Sequence, residues 1–365
     1  MQVSLAATLV SGVAFLLAGC SVARERPANT PVQKAARYLW SQQQADGGWH
    51  SHTYGLLKSG QSLTPFVLNA LLQVSPSEWA APEDKKRAAF LFLKNNTDAE
   101  GAVGRMDPLV PDYPNYATAL AISSLVRGQP PSWKDTVAPM VAHLRALQFI
   151  EQNGWTRADA AYGAWGMGVD RRTPPNAGHL DISMTRHVLQ ALAAAGVAPE
   201  DPALQKAAVF VERCQNYDPA HPDDLDGGFF FSTVVLAKNK GGFEGKHPRS
   251  YGTTTADGIL SLLAIGRPRD HERVRAAQRW LSSHHQPSGT PGLADAPEPR
   301  WIAGLRFYYA GASTEAYQAL GLPKPPSDVL TMQRADGSWA NSEIIVKEDD
   351  PLIATTLALR SLLGR

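Results

Sequence analysis

One two-part phrase recurs six times along this chain, and it constrains the fold more than any single residue does. Its first half sets a small or ring residue, two apolar residues and a closing residue at positions i, i+3, i+4 and i+7. The copies are Ala35/Tyr38/Leu39/Gln42, Ala88/Leu91/Phe92/Asn95, Ala146/Phe149/Ile150/Asn153, Ala207/Phe210/Val211/Cys214, Ala277/Trp280/Leu281/His284 and Pro326/Val329/Leu330/Gln333. These positions share one helix face, so each copy predicts an amphipathic helix with a narrow buried stripe. The second half is a hydroxyl residue followed seven positions later by leucine: Thr64/Leu71, Thr118/Leu125, Thr185/Leu192, Thr255/Leu262, Ser313/Leu320 and Thr355/Leu362. Glycine-rich turns separate the halves, as in Asp46-Gly47-Gly48-Trp49, Asp226-Gly227-Gly228-Phe229 and Asp336-Gly337-Ser338-Trp339.

The two kinds of helix differ in polarity. The first carry charges opposite the stripe, as in Asp84-Lys85-Lys86-Arg87 and His271-Glu272-Arg273, whereas Thr118 to Leu125 and Leu189 to Ala195 are almost uncharged. A helix apolar all round is a buried one. Stop signals follow the second helices: Gly128 with Pro130, Gly196 with Pro199, Gly266 with Pro268 and Gly321 with Pro323. Six such pairs predict an all-α chain, an (α/α)6 toroid with the uncharged helices inside. Polar capping repeats, which an open solenoid needs, are missing from both ends.

At 365 residues and 44% hydrophobic content the chain can bury a large core as one repeat-built domain over residues 32–365. A net charge of +1 without a basic block argues against nucleic-acid binding. Residues 1–20 read as a targeting segment. Leu5 to Ala18 form an apolar run too short to span a bilayer, ending in Leu17-Ala18-Gly19-Cys20, which resembles a bacterial lipobox. The resemblance implies lipidation of Cys20, a membrane anchor and a place in the bacterial cell envelope. Without an aspartate at Ser21, it implies the outer membrane where the cell has one. Residues 21–31 form a polar tether. A lipidated Cys20 leaves Cys214 without a disulfide partner.

Gln43-x-x-x-Gly47-x-Trp49 and Gln333-x-x-x-Gly337-x-Trp339 resemble the repeat signature of squalene–hopene cyclases. Asp226 to Phe231 and Ser250 to Gly258 resemble repeats of protein prenyltransferase β-subunits. The resemblance covers residues 32–365 and implies the toroid. It implies little about activity, because the signature is structural. The Asp-x-Asp-Asp acid of the cyclases is missing: Asp223-Asp224-Leu225-Asp226 has a different order and sits in a turn. The prenyltransferases' zinc set is missing too, since Cys214 occupies a helix-stripe position and His284-His285 point apart on a helix. No metal or cofactor is expected.

Four residues are candidates for catalysis. Asp350, in Glu348-Asp349-Asp350-Pro351, and Asp181 each precede an inner helix, where a carboxylate ordinarily caps the helix. Asp257 lies two residues beyond Thr255 on an otherwise apolar or hydroxylic helix, so it needs a partner or a raised pKa; Arg186 and His187 are the candidate partners. His187 is itself the fourth candidate. The long insertions between first and second helices supply aromatic residues. Of these, Tyr162, Trp165, Tyr251 and Trp301, together with Tyr308, are the candidate ligand-binding residues. Packing of the turns is an equal claim on them. The expected ligand is an apolar, isoprenoid-like molecule or a peptide in a central cavity. An active cyclase or transferase with non-standard acids stays open, as does a glycan-active barrel using Trp165, Trp301, Tyr308 and Tyr309 with Asp170 and Glu298.

Overall fold

The computed structural model describes residues 29–105, 112–222, 224–293 and 300–363; the targeting segment, Cys20, Asp223 and Glu298 lie outside them. Six helices form an inner ring: α2 (Leu63–Leu71), α4 (Pro114–Gly128), α6 (Ile182–Ala194), α8 (Gly252–Ala264), α11 (Arg306–Leu320) and α12 (Pro351–Leu363). Each packs on the next, and α12 packs on α2, so the ring closes. All six hydroxyl–leucine phrases fall on these helices. Outside them lie α1 (Pro31–Ser41), α3 (Glu83–Asn95), α5 (Trp133–Ala146), α7 (Pro202–Arg213) and α9 (Glu272–Ser283). A short α10 (Trp301–Gly304) and a hairpin of β1 (Phe243–Glu244) with β2 (His247–Pro248) decorate the insertions. The inner helices are buried nearly all round, as in α8, where every residue from Gly252 to Leu262 is buried. The outer ones bury only a stripe, as Ala35, Ala36, Leu39 and Trp40 do in α1. No helix among the described residues is long and apolar enough to cross a membrane.

The repeated turn is a coupling device between neighbours. Gln43 Nε2 donates to the Gly47 carbonyl (2.8 Å) and to that of Lys85 on the next outer helix (2.9 Å). Gln148, Gln215 and Gln333 repeat this, reaching Ala203, Arg273 and Pro31. The turn glycine lies against that same neighbouring segment. Gly47, Gly101, Gly163 and Gly337 all have φ between 85° and 93°, and a Cβ on them would come within 2.1–2.5 Å of the carbonyl oxygens of Ala88, Pro139, Lys206 and Lys34. Only glycine meets both demands. The tryptophan closes the unit, its indole N–H donating to the preceding outer segment: Trp49 to Leu39, Trp165 to Leu144 and Trp339 to Val329. The repeat hydroxyl accepts the turn's main-chain N–H in four repeats, Trp49 to Thr64, Val103 to Thr118, Phe229 to Thr255 and Trp339 to Thr355, at 2.9–3.0 Å.

Three phrases depart from the expected register: in the second, Leu91 is half-exposed and the buried stripe of α3 is Ala89/Phe92/Leu93, one residue later. Ala146/Phe149/Ile150/Asn153 is not a helical stripe, because α5 ends at Ala146. Aligning Gln148 with Gln43 makes the third stripe Met140/His143/Leu144/Leu147, in which a buried histidine occupies an apolar position. Nor is Pro326/Val329/Leu330/Gln333 a helix. Pro325 and Pro326 remove two amide donors and hold the preceding residues extended, so the sixth outer element is one 3-10 turn, Val329–Met332. Val329, not the half-exposed Leu330, takes the place of Leu39.

Candidate functional site

Counting from the repeat hydroxyl locates the lumen. Two residues before it stand Ser62, Tyr116, Ser183 and Ile353, all lining a cavity at the N-terminal mouth of the ring. Two residues after it stand Phe66, Leu120, His187, Asp257, Glu315 and Leu357. Five residues after it stand Asn69, Ser123, Gln190, Leu260, Gln318 and Arg360, all lining a second cavity at the C-terminal end. The spacings of four and three are those of one helix face, which here looks into the ring.

The first cavity holds about 260 Å³. Its wall is mainly apolar: Leu57, Leu63, Phe66, Tyr113, Tyr116, Met167, Met184, Val346 and Ile353, with Ser62, Ser183, Lys347 and one carboxylate, Asp181. Asp181 caps α6, its Oδ1 accepting from the Met184 N–H at 2.8 Å while its Oδ2 stands 3.0 Å from His179 Nε2. Carboxylates serve the starts of three other inner helices around this mouth. Asp350 caps α12 through the Leu352 N–H (2.9 Å) and accepts from the Ser51 hydroxyl (2.5 Å). Asp112 takes the Ser62 N–H (3.0 Å) and hydroxyl (2.6 Å) at α2. Glu348 takes the Phe307 (3.0 Å) and Tyr308 (2.7 Å) N–H groups of α11. Each carboxylate meets the positive end of a helix, while burial pushes the Glu348 carboxyl up to about 7 and also raises that of Asp112.

A buried polar partition closes the floor. Arg186, on α6, reaches Asp257 Oδ1 through Nη1 at 3.2 Å and Glu315 Oε2 through Nη2. Arg360, on α12, donates through Nε to Glu315 Oε1 at 2.6 Å. The Tyr308 hydroxyl donates to Asp257 Oδ2 (2.9 Å) and also pairs with the Ser183 hydroxyl at the wall of the first cavity. Arg186 and Asp257 are each 1% exposed, so water screens their charges little. Burial pushes the Asp257 carboxyl up to about 6 in spite of Arg186 and Tyr308. Burial also works to raise Glu315, but Arg360 and Arg186 together hold it down at about 2. His187, edge-on to Tyr116 with ring centres 4.7 Å apart, is driven well below the usual histidine range by burial and by the two guanidiniums, so it is neutral.

Thus the structure joins two of the sequence candidates, Asp257 and Tyr308, through a direct hydrogen bond and sets His187 beside their partner Arg186. It places Asp181 and Asp350 as helix caps. Tyr162 is buried with its hydroxyl on Glu151 (2.6 Å), Trp165 is buried against α5, and Tyr251 is buried at the N-cap of α8. Trp301 begins α10, its ring 5.1 Å from Lys240 Nζ. The residues that sequence reasoning missed are Phe66, Tyr116, Met184 and Ile353 in the cavity wall and Glu315 and Arg360 in the partition. The Cys214 thiol is wholly buried and burial pushes it far up; among the described residues no group of three or more histidine, cysteine or acidic side chains is placed to hold a metal.

Solved structures share this architecture. The type II terpene cyclase MstE from Scytonema superposes in its apo form with a TM-score of 0.56 at 14% identity, over 91% of this chain and 96% of that one. A variant of it bound to geranylgeranyl dihydroxybenzoate, its substrate, gives 0.55 at 15% identity, over 91% and 95%. A protein from Actinoplanes gives 0.55 at 16%, over 91% and 97%. The fold is the terpene-cyclase-like α/α toroid. No known family and no curated protein matches by sequence.

Proposed function

We propose that this toroid binds a compact isoprenoid-like ligand in the cavity at the N-terminal mouth of its inner ring. The observation that carries the reading is an apolar wall that, among the described residues, holds a single carboxylate, Asp181. About 260 Å³ lies just under the ~300–1,000 Å³ typical of small-molecule sites, a size suited to the end of an isoprenoid chain. A peptide fits such a wall poorly, because its backbone amides would enter without partners. The cyclase neighbours support the class of ligand, one holding geranylgeranyl dihydroxybenzoate and another merosterolic acid A, its product. Lys347, at the rim with Nζ 5.6 Å from the Tyr54 ring centre, suits a polar head group on the same molecule. A lipid on Cys20 would hold the toroid in the bacterial envelope.

Farnesol titrated into the purified protein and followed by native mass spectrometry tests the cavity. Saturable binding, abolished by Phe66→Asp, is the expected result, and absence of binding to the wild-type protein overturns the reading. Cys20→Ala is expected to release the chain from the membrane fraction; a variant that stays there overturns the anchor.

A second reading, an active cyclase, is favoured by the position of Asp181 in the apolar wall, where its carboxyl group would face the ligand's hydrocarbon. Cyclised product from geranylgeraniol, lost in Asp181→Asn, is the result it requires.

A further inference from the structure

The second cavity, at the C-terminal end of the ring, differs from the first in chemistry. It holds about 600 Å³. Five of its six ring positions, Asn69, Ser123, Gln190, Gln318 and Arg360, carry hydrogen-bonding side chains. Of these, Ser123 donates to the Ala119 carbonyl and Arg360 to Glu315. Three polar atoms of its wall, Asn69 Oδ1, Arg186 Nε and His187 Nε2, have no hydrogen-bond partner among the described residues. Arg186 and His187 are 1% and 4% exposed. Arg127 stands exposed at the rim in the last turn of α4, with no hydrogen bond or ion pair to any described residue.

Charge decides what would fill the site. Three guanidiniums, those of Arg127, Arg186 and Arg360, face two carboxylates, Glu315 in the wall and Asp257 behind it. The carbonyl ends of the inner helices add partial negative charge, which alone would repel an anion. The surplus guanidinium is therefore the group that admits one, and Arg127 supplies it. We infer that this basin is a second binding site, separate from the apolar cavity, for a small oxyanion carrying a carboxylate or phosphate group. Arg127 is its charged anchor, and the amides of Gln190 and Gln318 donate further hydrogen bonds. Planar guanidinium forks match either oxyanion.

Isothermal titration of the full chain with succinate and, separately, with inorganic phosphate tests this and tells the two sources apart. Saturable binding of at least one is expected, with Kd raised roughly tenfold in Arg127→Gln and largely kept in Arg127→Lys. Gln190→Leu, a second wall change outside the partition, is expected to weaken binding as well. Farnesol binding is expected to be unchanged in Arg127→Gln, so the two sites fail or succeed independently. Absence of saturable binding by either titrant, or binding in Arg127→Gln equal to wild type, overturns the inference.

Discussion

Gln333 Nε2 stands 2.9 Å from the carbonyl oxygen of Pro31, joining the last repeat to the first residue of α1. The same amide reaches the Gly337 carbonyl at 3.0 Å, so one side chain ties the final turn and the opening helix together. Gln43 makes the corresponding pair of bonds within the chain's first third. Ring closure therefore uses the same joint as every other seam that carries the glutamine. Gln333→Ala should cost about 1–2 kcal/mol, two net hydrogen bonds, in urea unfolding. Because Gln43→Ala removes an equivalent pair, its cost should match within error; a negligible loss at Gln333 would mean that the seam is held by other contacts.

The turn glycines lead to a larger effect. At Gly47 a methyl group would stand 2.4 Å from the Ala88 carbonyl oxygen while the backbone held φ at 90°. Left-handed backbone costs a non-glycine residue roughly 1–2 kcal/mol, and overpacking adds about 1–3 kcal/mol. Gly47→Ala is thus expected to destabilise the fold by about 2–5 kcal/mol, measured by chemical denaturation. Gly196 is the control: its φ is 87°, but nothing lies within 4 Å, so Gly196→Ala should show only the backbone part.

Arg186 is shared by Asp257 and Glu315, and Glu315 also has Arg360, so removing Arg186 takes from Asp257 the cation it pairs with. Arg186→Met should cost about 3–5 kcal/mol, the usual penalty for breaking a buried ion pair from one side, because it leaves the buried Asp257 carboxylate without its cation. Tyr308→Phe removes only the hydroxyl that bonds Asp257 and Ser183 and should cost about 1 kcal/mol. If the two variants prove equally stable, the partition is not the electrostatic unit its geometry describes.

The architecture was readable because the joint is written in a few residue types. Gln43, Gly47 and Trp49 each answer a separate physical demand, and no other residue serves the turn as glycine does. The third repeat hid its register because His143 occupies an apolar place, while Phe149 and Ile150 imitate a stripe just past the end of α5. Proline at 325 and 326 left the sixth phrase the pattern of a helix without the means to form one. Lumen residues were harder to find. Phe66, Glu315 and Asp257 share one position relative to the repeat hydroxyl, but three apolar residues, a histidine and two acids occupy it in the six repeats, so no residue type marks it. Only alignment of the six inner helices on Thr64, Thr118, Thr185, Thr255, Ser313 and Thr355 picks that position out. Arg186 was open to sequence reasoning as a partner for Asp257, since a buried carboxylate demands one; Glu315 and Arg360 come from helices far along the chain.

Glu315 gives the partition a pH dependence of known sign. Two guanidiniums hold its carboxyl at about 2, below the usual 4.5 that applies once the chain unfolds. Between those values the unfolded chain binds a proton that the folded chain does not, so folded stability falls as pH falls through this window. Above pH about 4.5 the contribution is fully present; below about 2 it is gone. The difference corresponds to roughly 3 kcal/mol at about 1.4 kcal/mol per tenfold change in proton affinity. Denaturant titrations between pH 5 and 2 are expected to lose this increment in the wild type. Glu315→Gln should be less stable at pH 5 and show a shallower decline, because the titrating group is gone while Arg186 and Arg360 lose their shared carboxylate. Parallel curves for the two proteins would show that Glu315 does not titrate in this window, and that its two arginines do not hold it ionised.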